Sequence, residues 1–202
     1  QKRLRGTWQH HQNVSYCFFG SKKHLMENIF QSRRMPFYQF GEMLHLECIP
    51  TEYWVPFICS RFEKYGKHIS KEYATRICEI VKNYSSYVQQ LAWNVMAETE
   101  KEVDEDCLQN GINTLLQQCS SLFIQQTEGL TTYQLNFIRL LCNDIHSGFT
   151  VQSIADTYPL GSKSNIERIK KALENREIIT TTKDGVFLAD CVFELWFKKE
   201  MM

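Results

Sequence analysis

The sequence contains no Cys-x-x-Cys pair, no Gly-x-x-x-x-Gly-Lys-Ser/Thr loop, no apolar run of bilayer length and no excess of either charge. Each absence narrows the possibilities. Without a span of about 20 apolar residues, a signal peptide or a lipidation motif, the chain is expected to be cytoplasmic. Its 23 Lys and Arg balance 23 Asp and Glu, so no global field steers it to nucleic acid. Eight cysteines stand singly, at 17, 48, 59, 78, 107, 119, 142 and 191. Most lie among Ile, Leu, Val and Phe, where a reduced thiol behaves as a small core residue. His45-x-x-Cys48 and Cys142-x-x-x-His146 each offer two ligands at local spacing, but nothing brings the pairs together, so no metal site is expected. No Cys has an evident base beside it to make it a nucleophile. No apolar strand ending in Asp-Glu or Asp-Asp precedes Val14. Without a loop that cradles phosphates and carboxylates that hold Mg²⁺, this chain should not hydrolyse ATP alone, and no bound cofactor is expected on it. It begins with Gln1 rather than Met, which suggests a fragment or a processed product.

What is present centres on Gly161–Asp190. Ile166, Ile169 and Leu173 recur at helical spacing, while Lys163, Arg168, Lys171 and Asn175 point elsewhere, so the helix packs by one face. Ser164 and Glu167 have the spacing of a capping box that would start it. Ile178–Thr182 and Val186–Leu188 then flank Lys183-Asp184-Gly185, a strong hairpin signal. Upstream, Thr131 and Gln134 form a second capping box before Leu135, Ile138, Leu141 and Cys142, with His146-Ser147-Gly148 as the stop. Thr150 is the expected cap of a short helix carrying Val151, Ile154 and Ala155. Helix, short helix, longer helix and hairpin in this order resemble a winged helix.

Toward the N-terminus, residues 1–12 can form a short basic helix, and Val14–Gly20 is a continuous apolar run that fits a strand buried in a parallel sheet. A helix from about Lys23 to Phe30, a loop with Arg33-Arg34-Met35-Pro36, and an alternating strand Met43–Ile49 follow. So few strands cannot bury such a run, which implies that the rest of the sheet lies upstream. Pro50 opens four amphipathic helices. Trp54, Val55, Ile58 and Phe62 mark the first, which Pro56 should delay or bend. Ser70 caps a second with Ala74, Ile77 and Val81; Asn83-Tyr84-Ser85-Ser86 breaks it. Val88, Leu91, Val95 and Met96 mark the third. Asp104 caps the fourth, with Leu108, Ile112, Leu115, Cys119 and Leu122. The charged run Glu98–Asp106 reads as a solvated turn.

The strand ending in Gly20-Ser21, the loop with Pro36-Phe37-Tyr38, the strand Met43-Leu44-His45-Leu46, the bundle with Tyr87-Val88-Gln89-Gln90-Leu91-Ala92 and the winged helix together resemble the C-terminal part of an archaeal-type P-loop ATPase, a relative of the AAA+ and STAND ATPases. The resemblance implies a mainly α chain: a remnant of a parallel α/β P-loop core at 1–50, a four-helix lid at 51–128 and a winged helix at 129–202. It places Ser21 at the nucleotide-sensing position called sensor 1, where a hydroxyl holds a phosphate oxygen or the attacking water, although Ser21 would equally cap the next helix. Arg33 and Arg34 are the corresponding candidates for an arginine finger, or simply solvated loop residues. The lid segment lacks the family's preceding proline, which puts direct contact with nucleotide in question. ATP and Mg²⁺ would belong to the full-length parent, with its upstream nucleotide-binding region as this chain's partner. The winged helix would contact DNA or protein through Lys163, Ser164, Asn165, Arg168 and Lys171, with Lys183 in the wing. Glu167, Glu174 and the neutral chain favour a protein or intramolecular contact. The alternative is a stand-alone winged-helix DNA-binding regulator with a helical oligomerisation domain.

Overall fold

A computed structural model describes residues 1–20 and 23–202. Among these the fold is mainly α, with ten helices and one two-stranded sheet. The chain divides into two units, Gln1–Glu47 and Cys48–Met202.

The first unit holds α1 (Lys2–Trp8) and α2 (Lys23–Gln31). Its centre is aromatic: Trp8 stacks on Tyr16 at 4.8 Å and on Phe18 at 5.3 Å, and Phe37 is buried between Trp8 and Phe30. Arg5 donates to the Pro36 carbonyl and, at 3.1 Å, to that of Tyr38, which folds the loop after α2 back onto α1. The two expected strands are not formed among the described residues: Val14–Gly20 and Met43–Ile49 run as irregular backbone. Leu44 and Leu46 are 82% and 88% exposed, the reverse of a buried sheet. A strand exists only through its ladder, and among the described residues neither run finds a neighbouring strand to supply one.

The second unit opens with α3 (Thr51–Lys64), α4 (Lys71–Ile80), α5 (Ser85–Glu98) and α6 (Glu105–Thr127). Pro56 does not delay α3, which starts at Thr51 directly after Pro50; the proline sits one and a half turns in, where it removes a single backbone donor. Ser70 caps α4 by accepting from the Tyr73 amide, and Asp104 caps α6 by accepting from that of Cys107. Lys82 and Asn83 take positive φ and turn the chain between α4 and α5. The charged run before α6 is anchored rather than free: the His68 amide donates to Lys101 and the Val103 amide to His68, while Thr99 and Val103 are buried. Arg76 grips Glu105 with two hydrogen bonds of 2.6 and 2.8 Å, which holds this carboxyl down to about 2. Gly111 lets α6 approach α5 closely, because a Cβ there would lie 2.6 Å from Val95 Cγ2 and 2.9 Å from the Val95 backbone nitrogen. The stripe on α6 is shifted from the expected one: Gly111, Leu116 and Phe123 are buried, whereas Leu122 is exposed.

Beyond α6 come α7 (Thr132–Cys142), α8 (Gln152–Thr157), α9 (Lys163–Asn175), β1 (Ile179–Thr182), β2 (Gly185–Leu188) and α10 (Cys191–Glu200). The Thr131–Gln134 capping box is formed in both directions. Three local expectations shift. Helix α7 ends at Cys142, before His146, where Asn143 caps it and Asp144 adopts φ +58°. Val151 rather than Thr150 is the N-cap of α8, without a side-chain bond. Ser162, not Ser164, caps α9, accepting from the Asn165 amide, so the helix starts two residues earlier than expected, with its cap right after the positive-φ Gly161. Strands β1 and β2 pair antiparallel from Ile179–Leu188 to Thr182–Gly185, leaving Lys183-Asp184 as a two-residue loop. Gly185 has φ +144°, and a Cβ there would lie 2.7 Å from the His146 carbonyl oxygen, so glycine is required both by conformation and by space.

No element is predicted beyond Asp190, yet α10 buries Cys191, Val192, Phe193, Trp196 and Phe197. Phe123 of α6 meets Phe193 edge-on at 5.4 Å, and Trp196 donates its indole proton to Ser120 at 3.2 Å. A continuous apolar core therefore runs from Trp54 to Phe197. Lys82 and Lys198 both reach Glu194; burial alone would raise this carboxyl, but the two lysines outweigh it and lower it.

Candidate functional site

The exposed face of α9 and the adjoining hairpin gather most of the residues singled out in the sequence. Ile166, Ile169 and Leu173 are buried, as their spacing predicts, which orients the opposite face outward. Lys163, Ser164, Arg168 and Lys171 are exposed there, and Lys183 is exposed in the hairpin loop. The same face carries Glu167, whose carboxylate takes Lys170 at 3.4 Å. Asn165 is half-buried and fully engaged: its amide nitrogen donates to the Leu160 carbonyl at 2.6 Å, and its oxygen accepts from Arg168 at 2.7 Å. It fixes the turn into α9 and steers Arg168 rather than projecting outward. Ser164 Oγ lies 2.9 Å from Ser162 Oγ. Arg176 donates to the Glu128 carbonyl and so belongs to the joint between α6 and α9.

The other candidates lie elsewhere. Ser21 falls outside the described residues. Arg33 and Arg34 are exposed in the turn after α2, within the first unit. In the segment from Tyr87 to Ala92 each polar side chain is already used internally. Tyr87 donates to Asp190 at 2.6 Å, Gln89 to the Ser85 carbonyl at 3.1 Å and Gln90 to Gln118 at 2.8 Å. Burial first, and then the bond to Asp190, push the Tyr87 phenol well above its ordinary range.

Among the described residues no three His, Cys, Asp or Glu side chains converge as metal ligands. His146, the partner of Cys142 in the sequence pattern, donates its Nδ1 proton to the Val186 carbonyl at 3.0 Å and stacks on Phe187 at 4.3 Å. Burial pushes the Cys142 and Cys191 thiols up to about 12 and Cys78 up to about 11, the behaviour of core thiols held protonated. His146 instead closes the outer edge of β2: its carbonyl accepts from the Val186 amide at 3.0 Å while its ring binds the Val186 carbonyl. This edge contact had no local signature in the sequence.

The class that this arrangement defines is a mainly helical chain ending in a helix, short helix, longer helix, hairpin and helix on one core. Its fold is similar to that of a Walker-type ATPase of Pyrococcus abyssi, with a TM-score of 0.62 over 89% of this chain and 12% sequence identity. The aligned part is 51% of that protein, so the chain spans about half its length. At this identity the likeness concerns the fold alone. No protein-family model matches the chain, and no curated protein matches it in sequence.

Proposed function

We propose that this chain is the C-terminal portion of a P-loop ATPase-related protein, in which residues 1–50 are a remnant of the nucleotide-binding core, 51–128 a helical lid and 129–202 a winged helix that contacts a partner. The likeness of fold to a Walker-type ATPase over 89% of the chain is the observation that carries it. The order of α7, α8, α9 and hairpin, with His146 bonded through its carbonyl and its ring to Val186 on the outer edge of β2, supports the winged-helix reading. Within this proposal Ser21 takes the sensor role and Arg33 or Arg34 that of an arginine finger.

The residues of this chain do not by themselves fit a nucleotide, because the sequence has no phosphate-cradling glycine loop and the polar groups of the lid-like segment are spent internally. ATP and Mg²⁺ then belong to the region upstream. Titration calorimetry on this chain is expected to give no Mg²⁺-dependent ATP binding in the micromolar range. Micromolar binding would contradict the assignment of the phosphate grip to another segment.

On α9 the basic residues are interrupted by Glu167, and Asn165 is committed to the turn, so a sequence-reading role in a DNA groove is poorly served. Lys163, Ser164, Arg168, Lys171 and Lys183 suit a protein surface better. Binding to duplex DNA across a salt series, compared with an Arg168→Glu, Lys171→Glu variant, tests this. Negligible binding by both is expected; binding at low salt with a steep salt slope that the variant loses would favour DNA.

A further inference from the structure

A second surface, on α3 and α5 and far in sequence from α9, carries an aromatic groove of about 320 Å³. Its walls are Trp54, Phe57 and Arg61 of α3, Tyr65 at the C-cap of that helix, and Trp93 and Met96 of α5, among others. We propose that it is a docking groove for an acidic, amphipathic helix of a partner protein.

The patch is long. Tyr53, Phe57, Arg61 and Tyr65 recur at every fourth residue, which draws a stripe of about 18 Å along α3 at 1.5 Å per residue. Tyr53 is 65% exposed, Tyr65 61% and Trp93 57%, and Trp93 meets Tyr65 edge-on at 6.2 Å. Exposed Tyr, Trp and Arg side by side are the residue types that dominate interface energetics. A stripe of three turns is matched by a helix laid along it, with one or two apolar side chains filling the groove.

Charge selects the partner. Arg61 is the one ionised residue in the groove lining; it lies over the Phe57 ring at 4.9 Å, and among the described residues it has no carboxylate partner. The neighbouring Lys67 is already committed to the Met96 carbonyl at 2.7 Å. An unpaired guanidinium seated on an aromatic face calls for a carboxylate. Trp54 lines the same groove, and its indole N–H is buried and is the one such side-chain polar atom without a hydrogen-bond partner among the described residues.

The test is a selection from a displayed library of random 16-residue peptides on the intact chain, with the Arg61→Glu variant as counter-target. Enriched peptides should carry apolar anchors four residues apart flanked by Asp or Glu. As synthetic peptides they should shift the Trp54 and Trp93 indole N–H resonances while sparing that of Trp196. Arg61→Glu and Trp93→Ala, both changes at exposed positions, should each weaken binding at least tenfold. No enrichment over the variant, enrichment of basic peptides, or binders that leave both indoles unmoved would overturn the proposal. So would self-association of the chain in sedimentation that Trp93→Ala abolishes, since the occupant would then be a second copy.

Discussion

Replacing Gly111 with valine is expected to destabilise the second unit by about 3 kcal/mol, the upper part of the range for overpacking a well-filled core. The reason is the crossing of α5 and α6. The first side-chain atom added at 111 meets Val95 Cγ2 at 2.6 Å and the Val95 backbone nitrogen at 2.9 Å. The methyl can rotate away, but the backbone nitrogen cannot, so the helices must separate along a seam that buries Leu91, Val95, Leu108 and Leu115. Alanine makes the sharper comparison. In an open helix Gly→Ala gains about 1 kcal/mol of helix propensity; here the contact should reverse the sign. Urea unfolding with an unchanged slope and a lowered midpoint for both variants is the expected result. A Gly111→Ala protein more stable than the parent would show that the seam has room.

Asp190→Ala should cost a total of about 1–3 kcal/mol, combining a lost N-cap with an orphaned half-buried hydroxyl. One carboxylate oxygen accepts from the Val192 and Phe193 amides at 2.8 and 3.0 Å, and the other accepts from Tyr87 at 2.6 Å. A single side chain thus starts α10 and ties it to α5. Asp190→Asn keeps an acceptor for the cap and should lose less. Tyr87→Phe separates the two roles, because it removes the hydroxyl without touching the cap; the double variant should lose clearly less than the sum of the singles. The pH dependence has a definite sign. With the Tyr87 phenol raised by burial and by Asp190, the folded protein keeps it protonated where the unfolded chain ionises, near pH 10. The associated stability is present below that pH and is lost as pH rises above it. Tyr87→Phe should therefore flatten the alkaline decline. An Asp190→Ala midpoint within error of the parent would mean that α10 holds by its apolar face alone.

What the sequence disclosed follows from how local each interaction is. The buried face of α9 and the Thr131–Gln134 box depend on residues three or four apart, and both stand as expected. The start of α9 moved from Ser164 to Ser162 because two serines compete for one cap, and the choice falls with the turn at Gly161. The strands expected at Val14–Gly20 and Met43–Ile49 depend on pairing partners far along the chain, which spacing cannot supply. Helix α10 was open to reading, since Asp190 precedes Val192, Phe193, Trp196 and Phe197 at helical spacing. Its role as the strut between α5, α6 and the hairpin was not, because Tyr87 and Asp190 are 103 residues apart. The groove was hidden for another reason: Trp54 fits an ordinary core stripe, and only the fold shows its N–H without a partner.

The proposal that this chain is part of a larger P-loop ATPase-related protein is tested most directly by sequencing its coding region upstream of Gln1. The account predicts an open reading frame that continues upstream, with a Gly-x-x-x-x-Gly-Lys-Ser/Thr motif roughly one hundred or more residues before Gln1 and an apolar strand ending in acidic residues between them. A start codon immediately before Gln1, with no such motif in the frame, would contradict it and favour a stand-alone winged-helix regulator.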